Sequence, residues 1–144
     1  MSRIPRDLEN LKAGFNAEAA AAARFRAYSA RARRDALPHL ADHWLELARQ
    51  KDQIAILQLE AAGQVRGGET DLEAAIAEER YENEVLYPKL QAGSGAEAAA
   101  IFGQVLAAQG QHQARLDALR GAIVASQGDV PATLRAEPEP TRQR

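Results

Sequence analysis

The chain has 144 residues and a formal charge of −2, so it is long enough to form one domain with a real core. This charge balance gives no electrostatic case for binding nucleic acid or an anionic membrane. The absence of cysteine excludes disulfides, thiolate catalysis and Cys-ligated zinc or iron–sulfur sites. The N-terminal segment lacks an apolar signal region, and no apolar run approaches the ~18 residues that cross a bilayer, so we expect a cytoplasmic protein.

The composition favours helix along almost the whole chain. Alanine is abundant, β-branched residues are sparse, and the natural breaks are Pro38, "GGET" and "GSG". Between these breaks, apolar residues recur at the i, i+3, i+4, i+7 spacing of amphipathic helices. The four predicted helices cover residues 7–36, 38–63, 70–92 and 95–125. This pattern predicts an all-α fold, an antiparallel four-helix bundle over residues 1–126.

Each predicted helix has an apolar side that we expect to face the core. These residues are Leu11, Phe15, Ala22 and Phe25 in the first helix, Leu40, Trp44, Leu47 and Ile54 in the second, Leu72, Ile76 and Leu86 in the third, and Phe102, Val105, Leu106, Leu116 and Leu119 in the fourth. After Gln127 the sequence is proline-rich and charged, without periodicity. We therefore expect residues 127–144 to form a flexible tail.

An internal repeat relates the two halves of the chain. The segment "NLKAGFNAE", which ends at Glu18, aligns with "DLEAAIAEE", which ends at Glu79. A similar alignment of the second and fourth helices matches Lys51 with Gln109 in the sequence. The repeat predicts two pseudo-symmetric helical hairpins, with Glu18 and Glu79 meeting near the centre of the bundle.

These segments also resemble a known family. "NLKAGFNAEAAAAARFRAY" is similar to the first helix of rubrerythrins, and "AAIAEERYENEVLYP" resembles the third helix, with its Glu-x-Tyr-Glu core and Tyr-Pro ending. "FGQVLAAQGQHQARL" is similar to the fourth helix, whose pattern is Phe-x6-Glu-x2-His. The resemblance covers residues 8–122 and implies a ferritin-like bundle.

The resemblance implies a di-iron carboxylate centre that reduces hydrogen peroxide. In such bundles glutamates and Glu-x-x-His pairs project inward, because hard iron ions need several anionic oxygens. The matching ligand positions in this chain are Glu18, Glu79, Glu82 and His112. The chain departs from the pattern in two places: the second helix should present Glu-x-x-His but reads Lys51-Asp52-Gln53-Ile54, and the fourth helix has Gln109 where glutamate belongs.

Lys51 is the most informative departure. A lysine at a ligand position repels metal ions, and buried carboxylates without a partner are very costly. We therefore predict that the iron site is lost or reduced, and that the Lys51 ammonium replaces the metal charge among Glu18, Glu79 and Glu82. A structure with Lys51 turned to solvent would contradict this hypothesis.

Two other functions stay open. The first is an iron-dependent peroxidase or ferroxidase that uses the four matching ligands and takes electrons from a separate donor protein. The second is a four-helix interaction module without a site, in which "EERYENE" is a solvated face with i, i+4 salt bridges. His112 also fits a hydrogen-bonded core histidine, and packing alone would explain Tyr81. The His39–His43 pair, at i, i+4 spacing, is a weak zinc signal.

The resemblance also implies a homodimer. Rubrerythrin-like proteins commonly pair, sometimes by exchanging hairpins, and the segment "YSARARRDALPHLADHW" between the first two helices would permit such an exchange.

Overall fold

A computed structural model describes residues 6–126 and 128–132. Within these ranges the chain is helical and contains no strand, which confirms the all-α prediction. The elements are α1 (Asp7–Arg34), α2 (Pro38–Ala61), α3 (Gly68–Tyr81), a π-helical segment (Glu82–Leu86), α4 (Tyr87–Ala92) and α5 (Ala96–Ser126). Residues 128–132 are not helical, and the rest of the predicted tail lies outside the described residues. The chain divides into two compact units, Met1–Val65 and Arg66–Arg144.

The first unit is a hairpin of α1 and α2. Near the turn the Ser29 hydroxyl donates a hydrogen bond of 2.8 Å to the Ala41 carbonyl, and contacts farther away pair earlier α1 residues with later α2 residues. The two helices are therefore antiparallel. At the C-terminal end of α1, the Leu37 N–H donates a hydrogen bond of 2.8 Å to the Ala32 carbonyl. The turn closed by this bond places Ala36 at φ +59°. Pro38 then starts α2, where a missing N–H costs nothing.

Alanines form the seam between α1 and α2. They recur every seven residues, at Ala41, Ala48 and Ala55 of α2 and at Ala62 directly after it, and all four are buried. The buried residues on α1 are also small: Ala21, Ala22, Ser29 and Ala32. A seven-residue repeat keeps one side of a helix on its partner, and small side chains let the two backbones approach closely. We refer to this contact as the alanine seam.

The prediction of which α2 residues face the core is partly wrong. Leu40, Leu47 and Ile54 are exposed rather than buried. Each precedes a seam alanine by one residue, which places it about 100° around the helix from the seam. Leucines on the seam would hold the helices too far apart for the small residues of α1 to make contact.

The second unit pairs α5 with the continuous run of α3, the π-helical segment and α4. Arg120 reaches Glu73 at 3.1 Å near one end. Near the other end the Gln91 side-chain amide donates a hydrogen bond of 3.1 Å to the Ala99 carbonyl. This order of contacts makes the two arms antiparallel. Ile76 is buried, as its sequence position predicts.

Asp71 fixes the start of α3. Its two carboxylate oxygens accept hydrogen bonds from the Arg66 N–H at 2.9 Å and from the Gly67 N–H at 3.0 Å. Gly67 adopts φ +130°, a conformation that side chains rarely tolerate. The two backbone hydrogen bonds, more than the nearby Arg66 charge, lower the pKa of Asp71 below 3.8.

The π-helical segment precedes a proline. Tyr87 N–H donates to the Glu82 carbonyl, five residues back, and Pro88 follows directly. Proline has no N–H, and its ring clashes with the carbonyl four residues earlier in an α-helix. Widening the turn before Pro88 relieves this conflict without ending the helix.

Candidate functional site

The first polar centre is an ion pair on the alanine seam. Lys51 Nζ lies 2.8 Å from Glu18 Oε2, and the two side chains are 33% and 24% exposed. Glu18 lies four residues before Ala22, and Lys51 lies three residues after Ala48, so helix periodicity places both beside the seam. Lys51 is thus turned toward α1.

The Glu18 oxygen that faces the ammonium is buried, so the Lys51 ammonium lies directly against a carboxylate oxygen that is shielded from solvent. Because an ammonium already stands against the Glu18 carboxylate, the donor set of this hairpin does not fit a metal ion.

The second polar centre lies between the π-helical segment and α5. The Gln109 side-chain amide donates a hydrogen bond of 3.2 Å to Glu82 Oε2. Asn83 Nδ2 donates a hydrogen bond of 2.9 Å to Gln113 Oε1. It also makes a longer hydrogen bond of 3.5 Å to the backbone carbonyl of Gln109. All four side chains are partly buried.

Within residues 6–126 and 128–132, three buried oxygens near these contacts accept no hydrogen bond. Both amides are oriented by their acceptors: a carboxylate faces Gln109 Nε2, and two oxygens face Asn83 Nδ2. The Gln109 Oε1 and Asn83 Oδ1 atoms therefore point elsewhere, and neither has a hydrogen-bond partner in the part of the chain that the structure describes. Glu79 Oε2, one turn earlier on α3, is also buried and accepts no hydrogen bond from the described residues. Buried oxygens of this kind accept from a cation, an ammonium group or water.

The structure brings together only some of the expected site residues. Glu18 lies with Lys51 in the first hairpin, and Glu82 lies with Gln109 in the second. His112 is exposed. Over residues 6–126 and 128–132, no three His, Asp or Glu side chains form a group able to hold a metal ion.

Other residues singled out from the sequence are on the surface, and two site residues were missed. His39, His43 and Tyr81 are exposed. Asn83 and Gln113 were not identified as members of the second polar centre. Their spacing was the available signal, since Asn83 lies four residues after Glu79 and Gln113 lies four residues after Gln109.

None of the described helices combines the length and the apolar character that a bilayer crossing requires. Comparisons with protein-family models, with curated proteins and with solved structures gave no match to this chain.

Proposed function

We propose that this chain is a rubrerythrin-like, ferritin-type protein in which protein side chains replace the iron centre, so that it acts as a non-catalytic helical scaffold. The observation that supports this best is the 2.8 Å contact between Lys51 and Glu18. An antiparallel four-helix bundle with pseudo-twofold symmetry is part of the proposal, and so is a homodimer. Two antiparallel hairpins are the units from which such bundles are built.

A charge balance supports the loss of metal. Relative to the rubrerythrin pattern, Lys51 for glutamate changes the charge by +2 and Gln109 for glutamate changes it by +1, a total of +3. Both departures therefore compensate for missing cations. Lys51 contacts Glu18, and the Gln109 amide donates to Glu82, so each hairpin supplies its own counter-group to one acid.

Cation rescue tests this proposal. In Lys51→Ala, Glu18 loses its counter-charge, and we expect the midpoint of thermal unfolding to fall by about 3–6 °C. Addition of Mn²⁺ should recover part of this loss, because a divalent ion can then occupy the vacated position beside the carboxylate. The wild-type midpoint should not respond to Mn²⁺. Arg31→Ala is the matched control, since it removes a cation from an exposed ion pair of α1.

A second candidate is an iron-dependent peroxidase or ferroxidase of the rubrerythrin type, with a partial or di-iron centre and a separate electron donor. The three buried oxygens without donors, on Glu79, Asn83 and Gln109, favour it because a cation would satisfy them. Metal content of the purified protein separates the candidates. About two irons per chain, with peroxide-dependent oxidation of that iron, would establish the enzyme and overturn the scaffold proposal.

A further inference from the structure

Two exposed histidines near the start of α2 belong to neither polar centre. His39 and His43 lie four residues apart, and both side chains face solvent. The sequence contains three histidines and no cysteine, and the remaining histidine, His112, is on α5. The start of α2 is therefore the one place in this sequence where a single helix carries two imidazoles.

Helix geometry brings the two imidazoles to the same side of α2. Ala41, midway between them, is fully buried against α1. At about 100° per residue, His39 and His43 each lie about 160° around the helix from Ala41, so only about 40° separates them. Residues four apart on a helix have Cβ atoms about 5–6 Å from each other. At this separation both rings can bind one ion, each through one nitrogen.

The backbone between the two histidines is held on α1. The Ser29 hydroxyl donates a hydrogen bond of 2.8 Å to the Ala41 carbonyl, and this bond is buried. Arg33 forms an ion pair of 2.6 Å with Asp42. Because these contacts fix the first turns of α2, binding a ligand there would order two side chains and no additional backbone. A site that is ordered in advance loses less entropy on binding.

Both imidazoles are available to a ligand. Neither makes a hydrogen bond or an ion pair with another residue of the ranges 6–126 and 128–132. The acid between them, Asp42, already pairs with Arg33. A neutral imidazole offers a nitrogen lone pair, which zinc, nickel and copper ions bind well. The pair therefore has the spacing, the exposure and the donor type of a two-histidine metal site.

We propose that His39 and His43 bind one divalent transition-metal ion of the class Zn²⁺, Ni²⁺ and Cu²⁺. The two imidazoles supply two nitrogen ligands, and water or a donor group of another molecule completes the coordination. Mn²⁺ binds most weakly, because affinity for such sites rises from Mn²⁺ toward Cu²⁺. Lys51 lies eight residues beyond His43 on α2, about 12 Å along the helix, so this site is separate from the Lys51–Glu18 ion pair.

Titration calorimetry with Ni²⁺ or Zn²⁺ tests the site. The full-length chain is purified without a histidine tag, because a tag would add competing imidazoles. We expect about one ion per chain, and His39→Ala and His43→Ala should each weaken binding at least about tenfold, since changes in the surroundings of a ligand alone cost about 10–100-fold. His112→Ala is the matched control, because it removes an exposed but solitary imidazole, and should leave the affinity unchanged.

A variant with altered spacing tests the geometry. His43→Ala combined with Leu45→His keeps two imidazoles on α2, but six residues and about 120° apart. Leu45 is 42% exposed, so a histidine there disturbs no core. This double variant should bind as weakly as His43→Ala alone. Circular dichroism checks that each variant stays helical. In the ¹⁵N-labelled wild type, paramagnetic Ni²⁺ should broaden the amide signals of residues around 39–43.

Four results would overturn the proposal. They are a wild type that binds neither Ni²⁺ nor Zn²⁺, unchanged affinity in both alanine variants of α2, an equal loss in His112→Ala, and full affinity in the variant with altered spacing. The site does not rest on the proposed function, since none of these outcomes involves Lys51 or Glu18. The rescue of Lys51→Ala uses Mn²⁺, the ion that two imidazoles bind least, so the two proposals can fail separately.

Discussion

Lys51 and Glu18 meet at 2.8 Å on the alanine seam, where both side chains are mostly buried, whereas the ion-paired Arg31 and Asp35 are 71% and 45% exposed. The two pairs have similar distances. Their surroundings differ, and this difference decides how much each contributes to stability, because water screens the exposed pair far more than the seam pair.

A double-mutant cycle should show this difference. For Glu18→Ala and Lys51→Ala we expect a coupling free energy of about 1–2 kcal/mol in denaturant unfolding, since removal of one partner leaves a half-buried charge alone. For Arg31→Ala and Asp35→Ala we expect less than about 0.5 kcal/mol. Equal coupling in both cycles would mean that the seam does not shield its ion pair.

Gln109→Glu should make the second polar centre sensitive to pH. The new carboxylate would face Glu82 across 3.2 Å, so repulsion raises the pKa of one of the two acids above its unfolded value. A raised acid pKa gives stability that is present below the unfolded pKa and is lost as pH rises through the folded pKa. We expect the variant to be about 1–3 kcal/mol less stable than wild type at pH 7, and the gap to narrow at acidic pH. Gln104→Glu, at an exposed position of α5, should show no such recovery.

Ala48→Leu should test the alanine seam. Ala48 is buried between α1 and α2, so the added atoms must push the helices apart, at a cost of about 1–3 kcal/mol in the free energy of unfolding. Ala27→Leu, at an exposed position of α1, should change stability by less than about 0.5 kcal/mol. If both variants behave alike in urea unfolding, the seam is not closely packed.

Ala36→Gly should stabilise the first hairpin. Ala36 is held at φ +59° by the hydrogen bonds that close α1, and glycine adopts this region without steric cost. We expect a gain of about 0.5–1 kcal/mol in thermal or urea unfolding. The same substitution at the helical position Ala27 should have the opposite sign, because glycine weakens a helix interior.

Asp71→Asn should change how the free energy of unfolding depends on pH in acidic solution. The Asp71 pKa is lowered by two backbone hydrogen bonds, so its contribution is present above the unfolded value of 3.8 and is lost as pH falls through the lower folded pKa. In the variant, the slope of unfolding free energy with pH should be shallower below pH 3.8. Glu97→Gln removes an exposed acid from the first turn of α5 and should leave the slope in this window closer to that of wild type.

The helices themselves follow from local sequence. Pro38 begins α2 as expected, α1 and α2 end within two residues of their predicted ends, and α3 and α5 begin within two residues of theirs. Helix propensity and chain-breaking residues act over a few positions, so they can be read without knowing what packs where.

The choice of contact surface needed the tertiary structure. On α2 both Ala48 and its neighbour Leu47 belong to seven-residue repeats, and hydrophobicity alone favours the leucine. The alanine faces α1 because close approach of two backbones depends on small residues from both helices together, a property that one helix's sequence does not contain. The same holds for Asn83, because its partner Gln113 lies 30 residues away on α5 and only the packing of the two arms brings the two side chains together.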